Sequence, residues 1–159
     1  MIFALVVAAG AIFVWWSSGG LPDVVASHFI AGGGADGFLR RSEYTAFMLA
    51  LVALVPLLLR LAGTLAGRLP ARFVNLPNKQ YWLAPERKAA TLSSIASFGT
   101  WTSYATLALL CAVHGLVVHA NAVQPPHLDE APLIGLVAVY LGALFAGTLV
   151  VLSRFFRAP

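Results

Sequence analysis

"PLIGLVAVYLGALFAGTLVVL", residues 132–152, contains no charged side chain. It has the length of about 20 residues that a helix needs to cross the hydrocarbon of a bilayer. In water, a helix apolar on every side must be buried on every side. This chain has too little polar material to do that. Of its 159 residues, 60% are hydrophobic and 10% charged, where an ordinary soluble domain has roughly 25% charged. Mean hydropathy is +0.85. A soluble domain of this size leaves about a third of its unfolded-chain surface in water, and here that third could not be covered with polar groups. The solvent for most of the chain is lipid.

Three further apolar runs accompany the first. Together they predict spans at about 1–18, 45–63, 100–119 and 132–152, joined by an outer loop at 19–44 and an inner loop at 64–99. The run at the start matches a secretion signal in length alone. It has no basic n-region, and Trp15 and Trp16 stand where small residues precede a cleavage site. It is read as a retained span whose tryptophans sit at headgroup level.

Charge sets the expected orientation. The formal net charge is +4, which in a soluble protein would raise nucleic acid as a partner. In a membrane chain, Lys and Arg mark the cytoplasmic side, and no nucleic-acid partner is expected. Residues 64–99 hold Arg68, Arg72, Lys79, Arg87 and Lys88 against Glu86 alone, and the tail holds Arg154 and Arg157. Loop 120–131 holds only Asp129 and Glu130, expected to be solvated, and loop 19–44 sets Arg40 and Arg41 against Asp23, Asp36 and Glu43. Both termini are therefore expected inside. The single cysteine, Cys111, excludes an intrachain disulfide.

Within the spans, Pro56 is expected to kink the second helix, and Arg60 to snorkel toward the cytoplasmic surface. Ala138, Gly142 and Ala146 recur every fourth residue, a small-residue face that lets helices approach closely. Ala4, Ala8 and Ala11 repeat the pattern in the first span.

The stretch "SHFIAGGGADGF", residues 27–38, breaks the apolar texture. A phosphate-cradling loop needs Lys-Ser/Thr after its glycines. Here Ala35, Asp36, Gly37 and Phe38 follow, and Asp36 would repel a phosphate. Val24, Val25, His28 and Phe29 fall at helical spacing and predict a short interfacial helix, ended by the glycines. Asp36-Gly37 predicts a tight turn, and Ser42 or Thr45 a cap for the next span.

Leu21, Pro22, His28, Phe29, Gly34, Asp36, Gly37 and Phe38 together resemble the signature of a bacterial membrane domain family that includes the Sdp-type immunity proteins. The segment "NLPNKQYWLAPERK", residues 75–88, is similar to a second stretch found in that family. The resemblance implies a multi-pass protein of the bacterial cytoplasmic (inner) membrane that senses a peptide or an envelope signal. It makes His28, Phe29, Asp36, Gly37 and Phe38 candidate contact residues in the outer loop. It carries over no catalytic residue.

In the inner segment, Asn75, Pro77 and Asn78 are turn formers, and Tyr81 and Trp82 suit a membrane interface. Ala84-Pro85-Glu86 reads as a helix start. Leu92, Ile95, Ala96 and Gly99 against Ser93, Ser94 and Ser97 predict an amphipathic helix lying on the inner surface. Asn78, Tyr81, Trp82, Arg87 and Lys88 form a candidate docking patch for a partner. Attraction of the basic residues to anionic lipid is the simpler role.

His114 lies inside the third span and His119 at its end. They stand five apart, not at the i, i+4 spacing of a helical metal site, and no Cys/His/carboxylate cluster accompanies them. A neutral histidine bonded to a neighbouring helix is expected at 114, with no metal and no cofactor. No Ser-His-Asp set or carboxylate pair is evident, and no catalysis is expected. The expected fold is all-α, an integral membrane bundle of four transmembrane helices with an outer capping loop and a cytoplasmic interfacial helix. Its expected partners are the lipid bilayer, a peptide ligand, and another membrane protein or a second copy through the small-residue faces. Two functions follow: an immunity-like sensor acting through the outer loop, or a non-catalytic accessory or assembly subunit of a larger membrane complex.

Overall fold

A computed structural model describes residues 1–157. Helices dominate it: α1 (Ile2–Ser18), α2 (Arg41–Ala66), a short α3 (Lys79–Trp82), α4 (Pro85–Ala120) and α5 (Glu130–Phe156). Strands β1 (Val24–Phe29) and β2 (Ala35–Arg40) form an antiparallel hairpin between α1 and α2. Helices α2, α4 and α5 are each long and apolar enough to cross a membrane, and α1 is apolar over 17 residues.

The core lies where α1, α2 and α4 meet beneath the hairpin. Val14, Leu21, Val25, Tyr44, Met48, Val52, Leu107 and Val117 form one buried cluster. Helix α1 enters it through Gly10 and Val14, while Ala4 and Ala8 face outward. The face expected at Ala4, Ala8 and Ala11 is therefore not the packing face. A Cβ on Gly10 would lie 3.0 Å from Leu107 and 3.2 Å from Val52, so the three helices close around this glycine.

Helices α2 and α4 cross at a backbone-to-backbone contact. A Cβ on Gly99 would stand 2.7 Å from the Cα of Gly63, and one on Gly63 would stand 2.9 Å from the Cα of Gly99. This contact explains a departure from the expected layout. Residues 85–99 are not a separate surface helix. They are the first turns of α4, which runs unbroken for 36 residues. Gly99 is a crossing point inside the helix, and Thr100 and Thr106 return their hydroxyls to carbonyls one turn back. The start of α4 is as expected: Ala84 is extended and Pro85 opens the helix.

Helix α2 continues through Pro56 without interruption and begins at Arg41. Neither Ser42 nor Thr45 caps it. Glu43 accepts from the Arg40 backbone N–H instead, at 3.2 Å. Arg60 lies over the Phe3 ring at 4.6 Å, binding α2 to α1.

Helix α5 packs along α4 outside the core. Its contact residue is Gly147, where a Cβ would meet Phe98 at 3.0 Å. Ala138, Gly142 and Ala146 are exposed, and nothing lies within 4 Å of a Cβ on Gly142. Among the described residues, nothing packs on this small-residue face at Gly142.

Candidate recognition hairpin

Residues 24–40 form a hairpin where the periodicity predicted a helix. Val24 pairs with Arg40, Val25 with Leu39, Ala26 with Phe38, His28 with Gly37 and Phe29 with Ala35, with register shifts on either side of His28. Gly32 and Gly33 take φ +87° and +78° at the turn, a conformation that L side chains rarely adopt. The glycine run thus closes a hairpin instead of ending a helix. Asp36-Gly37 is strand, not turn.

The residues of the signature meet here. The Nδ1 of His28 pairs with Asp36 Oδ1 across the two strands. Gly37 must lack a side chain, because a Cβ would lie 2.7 Å from the Cβ of His28. His28, Asp36 and Gly37 are therefore a cross-strand lock. Phe38 is 52% exposed, whereas Phe29 packs against the buried cluster. Of the five candidate contacts, Phe38 alone is an exposed apolar side chain.

Side chains that the sequence did not single out fix the hairpin to the bundle. Asn121, at the end of α4, is buried and treats Ala26 as a neighbouring strand would. Its Oδ1 accepts from the Ala26 N–H at 2.8 Å, and its Nδ2 donates to the Ala26 carbonyl at 2.9 Å. The same Nδ2 also donates to Val117 O at 2.9 Å. At the tip, Gly32 N–H donates to Glu130 Oε1 at 2.7 Å and Leu128 N–H to Gly33 O at 2.9 Å. A side chain on Gly33 would run into the Leu128 carbonyl and the His127 ring. At the base, Arg41 donates to Leu21 O and to Asp23 Oδ1, each at 2.8 Å. Glu130 is thus an anchor, and Asp129 caps α5 by accepting from Ala131 N–H at 3.1 Å. Neither is merely solvated.

This anchoring makes the two edges of the hairpin unequal. Ala26 turns its backbone groups to Asn121, away from β2. Its antiparallel partner Phe38 must then turn its N–H and C=O away from β1. At its start the outer edge is met by His127, which bridges Gly34 in antiparallel fashion; beyond that point the outer edge of β2 has no backbone partner among the described residues. Phe38 and Leu39 flank it, both exposed.

Beneath the hairpin, His114 is completely buried between helices. Its Nε2 stands 2.8 Å from Ser17 Oγ on α1, and its Nδ1 stands 2.9 Å from Tyr44 OH on α2. The Ser17 hydroxyl donates to Phe13 O at 2.6 Å. With that proton committed, hydrogen-bond geometry places the ring hydrogen on Nε2, donating to Ser17, and the Tyr44 hydroxyl donates to Nδ1. Phe13 meets the imidazole edge-on at 5.8 Å, and Tyr44 stacks on it at 5.7 Å. The histidine bonds to two neighbouring helices at once. Ser17 thus accepts from the imidazole while donating to the Phe13 carbonyl. Among the described residues, no three His, Cys, Asp or Glu side chains stand together to hold a metal ion.

At the far end of the bundle, the expected docking patch is turned inward in part. Trp82 Nε1 donates to Phe155 O at 3.0 Å, and Asn78 Nδ2 donates to the same carbonyl at 3.1 Å. Phe155 is buried edge-on against Trp82 at 5.5 Å. Arg154 reaches Ser94 Oγ at 3.0 Å, and Arg87 lies over Tyr81 at 3.9 Å. Asn78 and Trp82 clamp the end of α5. Lys88 is half-buried. The chain matches no family model, and no curated protein or solved structure matches it.

Proposed function

We propose that this is a four-span protein of the bacterial inner membrane, of the Sdp-immunity-like type, that recognises an extended peptide along the free edge of β2. In this reading the hairpin faces outside, and the basic segment 64–99 and the Arg154 end of α5 face the cytoplasm. The charge asymmetry between the loops supports that orientation. The length of α1, about 26 Å at 1.5 Å per residue, and its exposed Trp15 and Trp16 support a fourth crossing. The reading needs no cofactor and no catalytic step.

The observation that carries the proposal is the unequal pair of edges. A two-stranded hairpin is marginal on its own. Here one edge is held by Asn121 and the tip by Leu128 and Glu130, so the remaining edge is preorganised. An open strand edge is a template for strand addition, with backbone bonds giving affinity and flanking side chains giving selectivity. The test places a photo-crosslinking side chain at Leu39 in living cells and identifies adducts by mass spectrometry. Phe38→Pro, which removes the outward N–H, is expected to abolish the adduct, and Phe38→Leu to retain it. Equal labelling in both variants would remove the strand-addition reading.

A second reading, an accessory subunit, is favoured by the exposed Ala138, Gly142 and Ala146 face of α5. It predicts a stoichiometric larger partner after purification in mild detergent, lost on Gly142→Leu.

A further inference from the structure

At the hairpin end, a groove of about 400 Å³ opens between α1 and α2. Trp15, Ala46 and Leu49 give it an apolar wall, and Ser18, Arg41 and Thr45 a polar one. Ser18 is 3% exposed, and its Oγ has no hydrogen-bond partner among the described residues. A buried, unpaired hydroxyl is uncommon and costly in a folded protein. A ligand atom in the groove would satisfy it.

The charges around the groove are of both signs and are spatially ordered. Arg41 has five N–H donors, and its structural bonds to Leu21 O and Asp23 Oδ1 use two of them. The start of α2, where Arg41 lies, carries the positive end of the helix dipole. Asp23, paired with Arg41, is 91% exposed on its other side. An anion seated by Arg41 and Ser18 therefore has a carboxylate just beyond it. A simple anion would feel that carboxylate as repulsion, and Glu43 in the first turn of α2 adds to it. A headgroup bearing a phosphate and, a few bonds on, an ammonium would match both signs.

We infer that this groove binds a zwitterionic aminophospholipid. The phosphate accepts from Arg41 and Ser18, the ammonium meets Asp23, and an acyl chain lies along Trp15, Ala46 and Leu49. This site is separate from the edge of β2 and does not depend on a peptide binding there.

The whole chain is purified in mild detergent and reconstituted in nanodiscs of phosphatidylethanolamine with phosphatidylglycerol, or of phosphatidylglycerol alone. Retained lipid is counted by native mass spectrometry after detergent exchange. We expect one phosphatidylethanolamine per chain. Ala46→Phe, at an exposed position that fills the groove, should lower its retention about tenfold or more, which corresponds to about 1.4 kcal/mol. Should that variant misfold, Ser18→Ala decides the matter. It should lower retention without lowering the delipidated melting temperature, because its hydroxyl has no partner among the described residues and costs the fold stability while unpaired. Retention unaffected by either variant, or selective retention of phosphatidylglycerol, overturns the inference. So does binding of inorganic phosphate or glycerophosphoethanolamine as tightly as the intact lipid.

Discussion

Replacing Asn121 with alanine should free the hairpin while leaving the helices in place. The side chain satisfies both backbone groups of Ala26, a residue with no exposed surface. A buried polar group left unpaired costs about 1–3 kcal/mol, so two give about 2–6 kcal/mol. Water can enter at this end of the bundle once the hairpin lifts, which places the effect toward the lower figure. A loss of about 2 kcal/mol in the local opening free energy corresponds to roughly 30-fold faster amide exchange. The assay is hydrogen–deuterium exchange in nanodiscs, comparing peptides from residues 24–40 with peptides from α2 and α4. Asn121→Asp keeps an oxygen for the Ala26 N–H but sets a buried carboxylate oxygen against the Ala26 and Val117 carbonyls, and should loosen the hairpin at least as much as Asn121→Ala. Unchanged protection of 24–40 in Asn121→Ala would falsify the claim that this amide holds the hairpin. Equal acceleration in all helices would show instead that Asn121 supports the whole bundle.

Other substitutions probe the remaining contacts. Gly99→Leu should lower the melting temperature in detergent, because its Cβ meets the Gly63 backbone, and overpacking of this kind costs about 1–3 kcal/mol or more. Gly142→Leu should leave that temperature unchanged within about 0.5 kcal/mol of stability, since nothing lies near it in the chain. Tyr44→Phe leaves the Nδ1 of His114 without a donor and should destabilise by about 1–3 kcal/mol in denaturant titrations. Adding His114→Leu should recover part of that loss, because both polar partners are then gone. Gly37→Ala should raise proteolysis of the hairpin by pushing His28 off Asp36, with the helices still protected.

The three long helices were legible because lipid demands uninterrupted apolar length, and the runs at 45–63, 100–119 and 132–152 lie inside α2, α4 and α5. The hairpin was not, and its bulge explains why. A regular strand would bury alternate residues, but Val25 and Ala26 are buried in succession and the register shifts before His28. The bulge breaks the period of two, and the residues left in view, Val24, Val25, His28 and Phe29, fall at helical spacing. The join of 85–99 to α4 was hidden by Gly99, whose role depends on a glycine in another helix. At the site, the His28, Asp36 and Gly37 motif named the right residues without revealing that they bind each other. Asn121 gave no signal, since an asparagine after an apolar helix reads as an ordinary cap. The bonds of His114 could have been found by depth. Ser17 and His114 lie within two turns of the C-terminal ends of α1 and α4, and Tyr44 within one turn of the N-terminal end of α2, so all three fall at one end of the bundle.

The contact between Gly63 and Gly99 also sets a mechanical ratio. Along α2, Gly63 lies about 28 Å from Tyr44 but only about 4–5 Å from the last residue, Ala66. For α2 this closest approach lies near one end, like a rivet close to a handle. For α2, a small rocking about the rivet moves the hairpin end about six times as far as the opposite end, whereas α4 has nearly equal arms of about 22 Å to His114 and about 21 Å to Pro85. The Tyr44–His114 bond then serves as the latch on the long arm of α2, and the hairpin rides on that arm.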